Sequence, residues 1–226
     1  MQINFTMSYS LPIQLNLEGK LCVVVGGGTV ATRKVISLLE TGARVRVIAP
    51  LLSPELTMFA QRGKIEWRNE FFTPETLEGA KLVFAATDNR VVNKSVTEEA
   101  KRRDIMINVA DAPETSDFTS LAVLRRGSLC LTVSTNGGSP ALTAHILSLL
   151  ETQFGEDWGE FVELLATLRD YIKESTLPQE RPVLQRRVIA EEATFRECLR
   201  LEGRSVAIAE GKKMIELWKN ETEKSA

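Results

Sequence analysis

Residues 20–31 read KLCVVVGGGTVA, and this stretch decides the fold. Its first half is a short apolar run rich in β-branched residues, which is typical of a buried parallel strand. Gly26, Gly28 and Ala31 then fit the pattern G-x-G-x-x-A, which turns tightly, admits a pyrophosphate and packs a helix on the sheet. We therefore expect a dinucleotide to bind at the N-terminus of the following helix. The alternative is a glycine turn that only packs a helix against a strand.

Strands and helices alternate outward from this stretch. Further strands are predicted at 44–49, 65–67, 82–86 and 105–109, and helices at 29–41, from Ser53 onward and at 91–103. Such alternation indicates βαβ units, and therefore a parallel sheet covered by helices on both faces. The first half of the chain is thus predicted to be an α/β domain of the Rossmann type.

The pattern changes after Pro113. Two strands at 118–124 and 128–134 have no helix between them, which favours an antiparallel pair. A glycine-rich turn then enters a helix at Ala141, and the rest of the chain is helical in character. We expect a Rossmann domain at 1–113, a small α+β region at 114–150 and a helical C-terminal domain at 151–226.

The cofactor site is expected at the carboxyl ends of the parallel strands, with NAD as the cofactor. An acidic residue that grips the adenosine ribose is expected after the second strand, but the sequence has Ala49-Pro50 there. Backbone groups would then hold the ribose, and the choice between NAD and NADP stays open. The candidate cofactor-binding residues are Gly26, Gly28, Thr29, Val30, Ala31, Ala49, Pro50, Thr87 and Asp88.

Composition excludes several other classes of protein. The 226 residues carry a net charge of -2, which does not favour general nucleic-acid binding. Cys22 and Cys130 stand in apolar runs and are predicted to be core residues, and the three cysteines form no disulfide or zinc pattern. His145 is the only histidine, and no metal site is predicted. With neither a signal-peptide pattern nor a membrane-spanning run, the expected location is the cytoplasm.

Five separated motifs resemble one enzyme family in the same order. They are the glycine turn, VIAP at 47–50, FAATDN at 84–89, NVADAP at 108–113 and STNGGSPA at 134–141. Over about residues 9–150 the chain resembles precorrin-2 dehydrogenases, which also occur as the N-terminal module of siroheme synthase. The resemblance implies NAD-dependent oxidation of precorrin-2 to sirohydrochlorin, an interlocked homodimer, and a dimerisation role for residues 114–150. Some members of the family also insert ferrous iron.

Asp111 is the candidate catalytic residue. It follows the strand predicted at 105–109, so it lies where open α/β sheets bind ligands, and it matches the family's functional aspartate. A carboxylate there could accept a proton or orient the macrocycle. The alternative is an aspartate that only caps the turn before Ala112-Pro113.

The second half is expected to bind the carboxylates of the tetrapyrrole. The candidates are Ser134, Asn136, Gly137, Gly138, Ser139, Arg125 and Arg126, although a basic hairpin tip is also a common solvated feature. The sequence departs from the family pattern at 116–120, at Asn136 and at 143–145. Three functions therefore stay open: a dehydrogenase for siroheme or cobalamin synthesis, a dehydrogenase that also inserts metal, and an NAD(H)-sensing module without turnover.

Overall fold

A computed structural model describes residues 10–223, with side chains described up to Glu221. The chain divides into two compact units, one up to Ser120 and the other from Leu121 onward. The division into 1–113, 114–150 and 151–226 stays a prediction beside these two units.

The first unit contains a five-stranded parallel sheet in the order β3-β2-β1-β4-β5. Its strands are β1 (Leu21–Val25), β2 (Arg44–Ile48), β3 (Glu66–Arg68), β4 (Leu82–Ala85) and β5 (Met106–Val109). The helices between them are α1 (Thr29–Leu39), α2 (Pro54–Gln61) and α3 (Arg90–Arg102), with a 3-10 helix at Pro74–Leu77. This sheet with flanking helices confirms the predicted Rossmann-type fold.

The sheet forms two cores because its central strands are apolar on both faces. Every residue of β1 is buried. Cys22 and Val24 point into one core with α1, whereas Val23 and Val25 point into the other with α3. Cys22 is thus a core residue, as predicted, and its burial raises the pKa of its thiol to about 11.

The strand predicted at 118–124 begins later than expected, because residues 116–118 form hydrogen bonds with the edge strand β5 instead. Asp117 donates its N–H to the oxygen of Ile107 at 2.8 Å, and its carboxylate accepts the Ile107 N–H at 2.9 Å. The Phe118 ring packs edge-to-face on Phe84 with centroids 5.4 Å apart. These contacts hold the segment against the Rossmann sheet, so the next strand starts only at Ala122.

The second unit begins with an antiparallel hairpin, as the sequence predicted. Its strands are β6 (Ala122–Arg126) and β7 (Leu129–Val133). Cys130 pairs opposite Arg125 and is exposed, so the prediction that it is a core residue is wrong. Its apolar neighbours alternate along a strand, and only one face of this two-stranded sheet is covered.

Up to residue 223, five helices follow the hairpin: α4 (Pro140–Gln153), α5 (Asp157–Ser175), α6 (Arg181–Ala190), α7 (Glu192–Glu202) and α8 (Arg204–Glu223). Helices α5 to α8 share one core built on buried residues such as Phe161, Leu164, Leu168 and Phe195. Helix α4 is different, because none of its residues is buried. Within residues 10–223, no helix is long and apolar enough to cross a membrane.

Candidate functional site

The glycine turn joins β1 to α1 at the carboxyl edge of the sheet. Gly26 has a φ of +128°, and a Cβ added there would lie 2.3 Å from the oxygen of Ala86. A Cβ on Gly27 would lie 1.9 Å from the oxygen of Leu51. Backbone approaches of this kind require glycine, so the first two glycines let the turn pass close to the neighbouring loops.

Gly28 stands in open space. Its backbone is extended, with a φ of -90°, and an added Cβ would meet no atom of the described residues within 4 Å. It is the N-cap residue of α1, and no side chain caps this helix or places an acid in its first turn. The first N–H groups, which belong to Thr29, Val30 and Ala31, therefore remain available to an anion.

This geometry fits the pyrophosphate of a dinucleotide. Gly28 has no side chain, and it precedes a helix N-terminus that no side chain caps. The partial positive charge of that N-terminus attracts phosphate. Buried Ala31 packs α1 against the sheet, as the third position of the pattern requires. When bound, NAD would contact Gly28 and the first turn of α1.

At the expected ribose position, fewer backbone groups are available for hydrogen bonds to the ribose than the sequence suggested. The Ala49 N–H donates to the oxygen of Arg68 at 3.2 Å, and the Ala49 oxygen accepts the Trp67 indole N–H at 2.9 Å. Both backbone groups of Ala49 are therefore used by β3, and the side chain is buried. Pro50 is exposed at this edge. Their role in ribose binding stays a prediction.

Thr87 and Asp88 follow β4 and begin the approach to α3. The Thr87 hydroxyl lies 2.7 Å from the side-chain oxygen of Asn93, and the Asn93 amide donates to the Thr87 oxygen at 3.0 Å. Asn89 then caps α3 by accepting the N–H groups of Val91 and Val92. Thr87 is thus held in place at the predicted cleft, whereas Asp88 is exposed to solvent.

Asp111 lies at the same edge of the sheet, two residues beyond β5. Val25, Ala85 and Val109 end three neighbouring strands in register, and the Ala110 N–H donates to the Ala85 oxygen at 3.0 Å. Among the described residues, the Asp111 carboxylate has a single partner, the exposed guanidinium of Arg90 at 3.9 Å. No backbone N–H of the turn binds it, so the geometry gives no support to the turn-capping alternative.

The turn at 134–139 uses most of its polar groups internally. The Ser134 hydroxyl accepts the Asn136 N–H at 3.0 Å, and Thr135 accepts the N–H groups of Gly138 and Ser139. The Ser139 hydroxyl caps α4 by accepting the Leu142 N–H at 3.2 Å. Fewer N–H groups therefore face outward here than the glycine-rich sequence indicated.

The backbone conformation of Asn136 accounts for one departure from the family pattern, an asparagine where a glycine is usual. Asn136 has a φ of +51°, and Gly137, the next residue, has a φ of +79°. Asparagine tolerates the left-handed region better than most residues other than glycine. Asn136 can therefore replace a glycine at this position without changing the path of the turn.

The two arginines of the hairpin have different surroundings. Arg126 is largely buried, donates to the oxygen of Phe154 at 2.9 Å and pairs with Glu156 at 3.3 Å. These bonds tie the hairpin to the loop before α5, which is a structural task. Arg125 is exposed opposite Cys130 and is the better placed of the two to meet a ligand. Substrate binding by either residue stays a prediction.

Two features of the first unit were not singled out from the sequence. Thr32 and Ser53 join their hydroxyl groups at 2.9 Å beneath the glycine turn. The Lys34 ammonium donates to the Ser120 hydroxyl at 2.9 Å and lies 5.3 Å from the centre of the Phe84 ring. Burial lowers the pKa of Lys34 below its ordinary value. The sequence predicted only that a helix begins near Ser53, because contacts between distant residues leave no local pattern.

Comparisons with known proteins support an NAD(P)-binding domain in this chain. Residues 13–122 match the sequence family described as "Putative NAD(P)-binding". The siroheme synthase of Nitrosococcus oceani is 39% identical over 164 residues, which are 73% of this chain and 35% of that protein. The siroheme synthase of Methylococcus capsulatus is 39% identical over 171 residues, covering 76% of this chain and 36% of that protein. The chain thus spans little more than a third of the length of these relatives.

A solved structure covers almost the whole chain. It is described as "SirC, precorrin-2 dehydrogenase" and superposes with a TM-score of 0.74 at 27% identity, over 92% of this chain and 99% of that one. The match therefore includes the helical second unit as well as the Rossmann sheet. This chain is a relative of SirC and of the N-terminal part of siroheme synthases, which confirms the resemblance that its motifs predicted.

Proposed function

We propose that this chain is a precorrin-2 dehydrogenase, which oxidises precorrin-2 to sirohydrochlorin with NAD in siroheme biosynthesis. One observation carries the proposal. The open turn at Gly28 and the unencumbered carboxylate of Asp111 lie on the same edge of one parallel sheet. That edge is where open α/β sheets bind their ligands, so cofactor and proton acceptor come within reach of one substrate.

The reaction removes two electrons and two hydrogens from the macrocycle. NAD supplies the acceptor for the hydride. The remaining hydrogen leaves as a proton, and the Asp111 carboxylate accepts it as general base. Net oxidation then yields sirohydrochlorin, NADH and a proton, which Asp111 releases to solvent through its exposed face.

The surroundings of Asp111 suit this role. Its only described partner is Arg90, which is itself 92% exposed and can move away. A carboxylate without backbone hydrogen bonds keeps its oxygen lone pairs for a substrate proton. This exposed carboxylate at the sheet edge also favours a dehydrogenase over an NAD(H)-sensing module, because a sensor needs no proton acceptor.

The second unit would contribute binding groups for the substrate carboxylates. The candidates remain Ser134, Asn136, Gly137, Gly138, Ser139 and Arg125, with Arg126 in a supporting position. We also propose a homodimer formed largely by residues after Pro113. Its support is α4, which buries none of its residues and exposes Leu142 and Leu149. The cytoplasmic location stays a prediction.

The test is an anaerobic assay with purified protein, precorrin-2 and NAD. We expect sirohydrochlorin and NADH to appear in equal amounts, and the absorbance of each product measures its formation. A parallel reaction with NADP measures which dinucleotide is used. Protein that binds NAD but forms no sirohydrochlorin would overturn the dehydrogenase and favour the sensing module.

A further inference from the structure

We infer that Thr32 and Ser53 are positioning residues for the cofactor, because their hydroxyl pair holds the pyrophosphate turn and the segment after β2 in one fixed arrangement. The inference rests on the proposed binding of NAD. Neither residue belongs to the glycine pattern, and neither is a proposed contact of the cofactor. Each acts through the backbone that the cofactor would touch.

The pair lies beneath the turn, where two loops meet. Thr32 is only 5% exposed, and its hydroxyl donates to the Gly28 oxygen at 3.0 Å. Its oxygen lies 2.9 Å from the Ser53 hydroxyl. The Ser53 N–H donates to the Gly27 oxygen at 2.7 Å. The carbonyl groups of Gly27 and Gly28 are therefore both bonded to this pair.

Counting protons gives one consistent direction to the chain of hydrogen bonds. Each hydroxyl has one proton to donate. The Thr32 proton goes to Gly28, so the Ser53 proton goes to the Thr32 oxygen, and the Ser53 oxygen accepts the Leu56 N–H at 3.2 Å. Every donor in the chain is thus satisfied, and the start of α2 is connected to the carbonyl of Gly28.

This connection matters because Gly28, unlike Gly26 and Gly27, has no close van der Waals contact with the described residues at the position of a Cβ. Gly28 has no neighbour within 4 Å of the position of a Cβ, so side-chain packing does not hold it. The turn also passes so close to Leu51 that its position depends on the loop after β2. A turn that is already held in its binding geometry has less entropy to lose when a ligand binds.

The experiment measures the NAD dissociation constant of variants that remove one hydroxyl. Thr32→Val keeps the volume of the side chain and should weaken NAD binding by about three- to tenfold, since a hydrogen bond contributes about 1 kcal/mol. The Michaelis constant for NAD should rise similarly, with little change in kcat. Thr32→Ser keeps the hydroxyl and should restore binding.

A matched control is available on α3. Thr97 is also buried, at 8% exposure, and its hydroxyl also donates to the carbonyl four residues earlier, that of Asn93 at 2.8 Å. Thr97→Val should lower the melting temperature as much as Thr32→Val does, yet leave NAD affinity unchanged. Equal loss of affinity in both variants would show a general effect of stability and would overturn the inference.

A second variant covers the case in which Thr32→Val does not fold. Ser53→Gly keeps a residue that caps helices well but removes the hydroxyl. It should weaken NAD binding by about the same factor, and the double variant should be no weaker than either single one, because the pair acts as a unit. If Ser53→Gly binds NAD as tightly as the wild type does, this inference is overturned but the proposed function is not. If the wild-type protein itself binds no NAD, the proposed function is overturned as well.

Discussion

The three glycines of the turn meet different surroundings, and this decides what each can tolerate. Gly26 and Gly27 pass within 3 Å of backbone atoms if a Cβ is added, whereas Gly28 meets nothing. The sequence pattern predicted a tight turn at Gly26, which the structure has, and room for a pyrophosphate at Gly28, which stays a prediction. It could not show that the middle glycine is pressed against Leu51, since that contact depends on the path of a separate loop.

Gly28→Val should abolish NAD binding and leave the fold intact. The extended backbone accepts valine without strain, and the side chain would occupy the space of the pyrophosphate. Titration with NAD should give no saturable signal, while the melting temperature stays near that of the wild type. Unchanged affinity would remove the main support for the cofactor site.

Gly27→Ala should have the opposite effect. Its Cβ would lie 1.9 Å from the Leu51 oxygen, so the turn and the loop after β2 must separate. Overpacking of this kind costs about 1 to 3 kcal/mol of folding stability. Chemical denaturation measures the loss, and a variant as stable as the wild type would show that this close approach is not present.

At the scale of elements, the sequence predicted the parallel strands and the hairpin, but it did not predict the contacts of the segment between them. Apolar runs ending in glycine or proline marked β1 and β2 within one residue of their observed ends. The strand predicted at 118–124 starts only at Ala122, because the preceding residues Ser116 and Asp117 bind the edge strand β5. Cys130 looked buried because its neighbours are apolar, and only the one-sided packing of the hairpin exposes it.

The end of α3 offers a test at this scale. Glu99 binds Arg102, with Oε1 and Nη2 2.6 Å apart, and also binds Arg103. These hydrogen bonds lower the pKa of Glu99 from 4.5 to about 2. A carboxyl group with a lowered pKa stabilises the fold above its unfolded pKa, and this stability is lost as the pH falls towards the folded value.

Glu99→Gln should therefore lower the melting temperature at neutral pH, and the difference from the wild type should shrink between pH 4.5 and about 2. Glu98→Gln is the matched control, because its pair with Lys94 is exposed and long, at 3.8 Å. A difference for Glu99→Gln that stays constant across this pH range would contradict the assignment.

At the scale of the molecule, helix α4 buries none of its residues within the part of the chain that the structure describes. Leu142 is 47% exposed and Leu149 is 56% exposed, although the sequence places both on an apolar stripe. The spacing of Leu142, Ile146 and Leu149 gives α4 an apolar stripe, but spacing does not say what covers it. The proposed homodimer, with 114–150 as its dimerisation region, would bury this face.

Light scattering at micromolar concentration should return the mass of a dimer. Leu149→Glu places a charge on the proposed interface and should shift the mass towards the 25.1 kDa monomer. Met58→Glu, on exposed apolar surface of the first unit, should leave the dimer unchanged. A wild-type monomer would count against the proposed assembly.

The central claim is that NAD binds at the glycine turn and that Asp111 accepts a proton at the same edge of the sheet. The most direct test is the single-turnover rate of NADH formation when NAD-loaded protein meets precorrin-2 anaerobically, in wild type and Asp111→Asn. Asparagine has the same shape but cannot take the proton, so NAD affinity should persist while the rate falls by about 100- to 10,000-fold. An Asp111→Asn variant that forms NADH at the wild-type rate would contradict the account, because the proton would then leave by another route.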